Sequence, residues 1–157
     1  MKIYTNLKSR LVLSSLFCLF LFCNSVIAQD TELKSDTELV KEAVMDYVLG
    51  LYDVAPDRIE RSVDTSLHKI GYYDYDGETY NHVPMTYKQL YELSGRWNKE
   101  GNRANAESPR KVDIYEVNDR TASAKLTATW GIDFMHLSKV DGQWKIMNIM
   151  WQRHPKE

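Results

Sequence analysis

The residues best suited to chemistry lie in two apolar segments that flank an Asp-Gly turn signal at residues 141–142. If these segments pair through a two-residue turn, Val140 lies opposite Gln143, and Asp133 and Asn148 fall on one face of the hairpin. The apolar members of that face are Met135, Leu137, Ile146 and Met150. A carboxylate in such surroundings can act as a general base, and an amide can donate to a developing oxyanion. Asp133 also has a structural interpretation, which buried polar groups in general favour, in which it only accepts hydrogen bonds from helix or loop amides.

A second catalytic candidate is His68, which lies on a predicted strand and could instead be a histidine bonded to backbone. Aromatic, sulfur and amide side chains from several predicted elements complete a candidate ligand-binding set: Tyr47, Tyr72, Trp97, Met135, Asn148 and Met150. The four histidines have no metal-ligand spacing, and the sequence contains no glycine-rich phosphate loop. We therefore predict no metal and no cofactor.

The elements that position these residues follow an α+β order. Ser35 and Glu38 have the spacing of a capping box and begin a first helix, and Pro56 begins a short second helix. Thr86 and Gln89 form another capping pair, and the helix after them is predicted to reach Gly101. Strands are predicted over 67–73, 79–83, 110–117, 121–140 and 143–153. Three helices that pack on a curved, mainly antiparallel sheet would enclose a cavity.

Both faces of the terminal hairpin are rich in apolar residues. In an antiparallel sheet with one solvent-exposed face, apolar and polar residues should instead alternate along each strand. The pattern favours a homodimer that packs through the outer sheet face. Its predicted contact residues are Ile132, Phe134, Ile149 and Trp151. A helix or the chain's own tail could cover this face instead.

The first 28 residues have the features of a signal peptide: basic residues, then an uncharged apolar run, then a Val26-Ile27-Ala28 cleavage site. The apolar run of residues 11–23 is shorter than the roughly 20 residues that a membrane anchor needs. We predict a short flexible lead-in over 29–34 and a single domain over 35–157, exported to the periplasm or secreted, with no membrane association after cleavage.

Removal of the signal peptide would also remove both cysteines, so the mature chain could form no disulfide. The removed segment carries three basic residues and no acidic one, which changes the net charge from −2 to about −5. This balance opposes binding to nucleic acid, which needs clustered Lys and Arg.

Several motifs resemble the lumazine-binding family of the SnoaL-like, nuclear-transport-factor-two-like superfamily. They are WGIDFMHL at 130–137, KVDGQWKI at 139–146, WQ at 151–152, LHKIG at 67–71 and MTY at 85–87. The resemblance spans nearly the whole mature chain and implies a conical α+β fold, an open pocket and frequent dimers. It also implies diverse activities, among them ketosteroid isomerase, scytalone dehydratase, polyketide cyclases and non-catalytic binders, so fold alone does not select one.

Three functions follow as hypotheses. The first is an exported protein that binds a small, partly planar or ring-shaped molecule in an apolar pocket. The second is a cofactor-free isomerase, dehydratase or hydrolase that uses Asp133 together with His68 or a tyrosine. The third is a dimeric accessory module that binds no ligand.

Overall fold

The computed structural model describes residues 34–74 and 79–155, so the predicted signal peptide and most of the lead-in lie outside the described residues. The predicted α+β class is confirmed. The described residues form three helices: α1 (Asp36–Tyr52), α2 (Pro56–Ser62) and α3 (Tyr87–Ser94). Within the same described ranges, six strands form one sheet: β1 (Val63–Asp74), β2 (Tyr80–Met85), β3 (Arg110–Val117), β4 (Thr121–Ala128), β5 (Gly131–Val140) and β6 (Gln143–Gln152).

Both predicted capping boxes are confirmed. The Ser35 side chain accepts a hydrogen bond from the Glu38 backbone at 3.3 Å, and the Glu38 carboxylate accepts one from the Ser35 backbone at 2.8 Å. Thr86 and Gln89 repeat this arrangement at the start of α3. The helix that begins there ends at Ser94 rather than near Gly101, and turns occupy 95–100.

The strand order in the sheet is β2-β1-β6-β5-β4-β3, with β1 and β6 parallel and every other neighbouring pair antiparallel. The prediction of one long strand over 121–140 is wrong. The chain turns at 129–130 and returns as β5, so that Ala128 lies opposite Gly131. The glycine permits this turn because it has a φ of 143°, a conformation that residues with a Cβ rarely adopt.

The predicted register of the β5–β6 hairpin is correct only next to its turn. Leu137 lies opposite Ile146 as predicted, but a β-bulge follows, and Met135 then lies opposite Ile149 instead of Asn148. One extra residue in β6 reverses the faces of everything beyond it. Asn148 and Met150 therefore point outward, whereas Ile149 and Trp151 belong to the inner face.

The core lies between the helices and the inner face of the sheet. Its largest fully buried side chains include Tyr47 from α1, Leu90 from α3 and Leu126, Met135 and Ile149 from the sheet. Among residues 34–74 and 79–155, no helix is both long enough and apolar enough to cross a membrane.

Candidate functional site

A cavity of about 140 Å³ lies between the helices and the sheet. Its walls are four aromatic side chains, four aliphatic side chains and one lysine. The lining residues are Tyr47, Leu51, Lys69, Met85, Leu90, Leu93, Trp97, Trp130 and Trp151. A space of this composition favours an apolar ligand whose orientation is fixed by a few polar contacts.

Lys69 supplies the amine. It occupies an inward position of β1, and its side chain is only 6% exposed. The Nζ atom donates to the Tyr47 hydroxyl at 2.7 Å and to Asp133 Oδ1 at 3.1 Å. The same atom lies 5.2 Å from the centroid of the Tyr47 ring and 5.6 Å from that of Trp151. The ammonium is thus held by a carboxylate, the Tyr47 hydroxyl and the aromatic face of Trp151.

Asp133 lies behind this wall and is fully buried. Its Oδ1 accepts from Lys69, and its Oδ2 accepts from the Trp130 indole N–H at 2.6 Å. The Tyr47 hydroxyl reaches Oδ1 only at 3.5 Å, a long contact for an O–H donor. Both carboxylate oxygens are therefore occupied by the protein, and Asp133 does not line the cavity.

Burial controls protonation in this cluster. It lowers the pKa of the Lys69 ammonium, while the Asp133 charge and hydrogen bond oppose that decrease. Burial also raises the pKa of the Tyr47 hydroxyl well above its ordinary value, and the Asp133 charge adds to the increase. Tyr47 consequently keeps its proton at neutral pH and can act as a hydrogen-bond donor.

The aromatic wall is held in place by its own contacts. Trp97 stacks on Tyr52 with ring centroids 5.8 Å apart, and its edge-to-face contact with Trp130 measures 5.3 Å. The Tyr52 hydroxyl donates to the Pro109 carbonyl at 2.6 Å and accepts from the Thr129 backbone N–H at 2.8 Å. The wall is therefore anchored to α1, to the residue that precedes β3 and to the turn between β4 and β5.

The sequence comparison identifies the family of this cavity-forming domain. A family model described as "Putative lumazine-binding" matches residues 35–152, which is well over half of the chain. The chain belongs to the lumazine-binding family. No curated protein matches it.

Solved structures resemble this lumazine-binding family member in fold. An NTF2-like protein of unknown function from Silicibacter pomeroyi is 16% identical, with a TM-score of 0.57, and the match covers 77% of this chain and all of that one. An NTF2-like protein of unknown function from Shewanella baltica is 17% identical, also with a TM-score of 0.57, over 79% of this chain and all of that one. These similarities confirm the predicted NTF2-like fold.

Two of the predicted ligand-binding residues, Tyr47 and Trp97, lie on the cavity. Met135 points inward but is buried in the core and does not line the cavity. Asp133 is also inward, sealed behind Lys69 and Trp130.

The expectation that Asn148 and Met150 face the cavity is wrong, because the β-bulge turns both outward. His68 and Tyr72 are exposed and also lie outside the cavity, since the inward positions of β1 are those of Lys69 and Gly71. The amide of Asn148 instead meets His68 Nδ1 at 3.2 Å on the outer face.

The sequence interpretation missed Lys69 and Trp130. A signal for Lys69 was present, because it lies between Leu67 and Gly71 at alternate positions of an apolar strand, where its side chain must face the core. A lysine at such a position needs a buried carboxylate, and Asp133 provides it.

Proposed function

We propose that this protein is an exported small-molecule-binding protein whose ligand is a ring-shaped molecule held in the Lys69 cavity. The observation that carries the proposal is a space of about 140 Å³ walled by four aromatic and four aliphatic side chains. An engineered apolar cavity of about 150 Å³ accommodates benzene. The space thus suits one six-membered ring, and outward movement of the half-buried Met85 and Leu93 would admit a fused second ring such as that of lumazine.

The polar end of the cavity favours a ligand with an acceptor oxygen. An ammonium has three N–H donors, and two of those on Lys69 go to Tyr47 and Asp133. The third donor and the weakly engaged Tyr47 hydroxyl remain for a carbonyl or hydroxyl oxygen on the ring. Because Asp133 offsets the Lys69 charge, the site favours a neutral ligand over an anion.

Asp133 enters this proposal as the buried counterion of Lys69. A base must reach the proton that it abstracts, and the carboxylate is fully buried with both oxygens bonded. Acid/base chemistry by this protein would therefore have to pass through Tyr47 or Lys69, the polar groups that line the cavity.

Filling the cavity tests the proposal. We expect Leu93→Trp to weaken binding of phenol and lumazine at least about tenfold in isothermal titration calorimetry, because the larger side chain occupies the ring site. Leu39→Trp is the matched control, since Leu39 lies in a separate cleft beside Trp144. Equal binding by both variants would contradict the assignment. Absence of ring binding by the wild type would favour the ligand-free accessory module.

Export is supported by the order of basic, apolar and small residues before Gln29. Expression of the full chain in a Gram-negative host should give a protein outside the cytoplasm whose N-terminal sequence begins at Gln29. A full-length chain that stays with the membrane fraction would contradict cleavage. A mature chain in the medium instead of the periplasm would identify the protein as secreted.

We further propose a homodimer through the outer sheet face, with contact residues corrected for the bulge. Phe134 and Met150 are cross-strand partners, 46% and 50% exposed, and Ile132 lies beside them on the same face. Ile149 and Trp151 belong to the interior. We favour a second copy of this chain as the partner, because a two-fold axis places the apolar surface of Ile132, Phe134 and Met150 against the same surface of the other subunit.

A charge placed on this apolar surface should prevent dimerisation. We expect Phe134→Lys and Met150→Lys each to give a monomer by light scattering after size exclusion, since two lysines would face one another across the axis. Tyr91→Lys, on the exposed side of α3, should leave the dimer intact. A wild-type monomer at micromolar concentration would refute the proposal.

A further inference from the structure

We propose that Lys69 forms an imine with a small aromatic or unsaturated aldehyde that enters the cavity. This inference rests on the proposed function and assigns to the same cavity a covalent ligand class. Lysine amines form Schiff bases with carbonyl compounds when an apolar environment favours the free amine.

The position of Lys69 meets the first requirement, a primary amine beside an apolar binding space. It is the one lysine among the described residues that lines the cavity, and the rest of the lining is aromatic or aliphatic. The other described lysines are exposed or half-exposed at the surface. An aldehyde whose ring lies among Trp97, Trp130 and Leu90 would therefore have Lys69 as the amine within its binding site.

The neighbours of Lys69 meet the second requirement, proton transfer. Asp133 Oδ1, 3.1 Å from Nζ, can take the ammonium proton and free the nitrogen lone pair. Burial lowers the pKa of Lys69 and so reduces the cost of that transfer. The Tyr47 hydroxyl, 2.7 Å from Nζ, can accept a proton from the nitrogen and pass its own to the carbonyl oxygen.

The reaction balances without a further reagent. The nitrogen lone pair attacks the aldehyde carbon, the C–N bond forms, and the carbonyl π electrons move to oxygen, which takes a proton relayed by Tyr47. The resulting carbinolamine loses its hydroxyl as water when the proton held by Asp133 is returned to that oxygen. The products are a protonated imine and one water molecule.

Charge conservation supports the assignment. The ammonium and the protonated imine each carry one positive charge, so Asp133 keeps its counterion at the end of the reaction. The aromatic face of Trp151, whose centroid lies 5.6 Å from Nζ, stabilises a cation in either form. Covalent capture would thus leave the buried ion pair electrically unchanged.

Reductive trapping tests the proposal. The protein is exposed briefly to limiting benzaldehyde and sodium cyanoborohydride at neutral pH, and benzylated lysines are located by peptide mass mapping. We expect Lys69 to be labelled about tenfold faster than Lys88, whose side chain is 85% exposed. Benzyl alcohol, a ring of the same size that cannot form an imine, should protect Lys69 and leave Lys88 unaffected.

Two further measurements distinguish failure of the imine proposal from failure of the binding proposal. Lys69→Arg keeps the positive charge and should abolish labelling in the cavity. If this variant does not fold, protection of Lys69 by benzyl alcohol in the wild-type protein tests the same point. If calorimetry shows benzyl alcohol binding but Lys69 is labelled no faster than Lys88, the imine is overturned and the binding function stands. If no ring compound binds, the proposed function fails and the imine fails with it.

Discussion

Asp133→Ala is expected to destabilise the protein by about 3–5 kcal/mol, because it leaves the Lys69 ammonium buried without its counterion. The carboxylate is fully buried and bonds to both Lys69 and the Trp130 indole, and neither donor gains an alternative acceptor from alanine. The unpaired charge and the unsatisfied N–H both add to the cost. The free energy of unfolding from urea titration measures the effect.

A matched variant at the surface shows how much of this stability loss depends on the burial of the ion pair. Asp57→Ala removes an exposed carboxylate 3.5 Å from Arg61, which keeps its closer partner Asp46 at 2.7 Å, and should cost less than about 1 kcal/mol. The double variant Lys69→Met with Asp133→Leu removes both charges and should recover much of the stability that Asp133→Ala loses. Equal losses in Asp133→Ala and Asp57→Ala would show that the Lys69–Asp133 pair is open to water.

Some features of this fold could be predicted from neighbouring residues in the sequence. Local signals predicted the helix starts at Ser35 and Thr86, because a capping box is formed by residues three apart. The turn signal at Asp141-Gly142 likewise predicted the pairing of Val140 with Gln143. These features depend on neighbours in sequence, so the sequence alone was sufficient for them.

The candidate site depended on features that are not local. Nothing in the apolar run of β6 marks a bulge beside Met147, yet that one residue decides whether Asn148 or Ile149 faces the interior. The contact of Lys69 with Asp133 joins positions 64 residues apart through a parallel pairing of β1 with β6 and then β5. The inward position of Asp133 was predicted, and the alternation of β1 also marked Lys69 as inward, but the pairing of these two residues could be found only from the topology.

Gly131→Ala is the second substitution with a large expected effect, because the position combines an unusual backbone with a close approach. Its φ is 143°, and a Cβ there would lie 2.0 Å from the Gln152 carbonyl oxygen and 2.8 Å from Arg153 Cα. These are backbone atoms of the chain at the end of β6, so relief requires that the two strands separate. We expect a loss of about 3 kcal/mol or more in the free energy of unfolding.

Gly142→Ala is the control for this substitution. Gly142 also has a positive φ, 80°, but a Cβ there meets nothing within 4 Å, so only backbone strain of about 1–2 kcal/mol is expected. The two variants should differ in binding as well, since Gly131 directly follows Trp130, which lines the cavity and bonds to Asp133. Phenol affinity measured by calorimetry should fall in Gly131→Ala and stay unchanged in Gly142→Ala. Equal stability losses would mean that the end of β6 does not constrain this turn, and the position of Trp130 would then need another explanation.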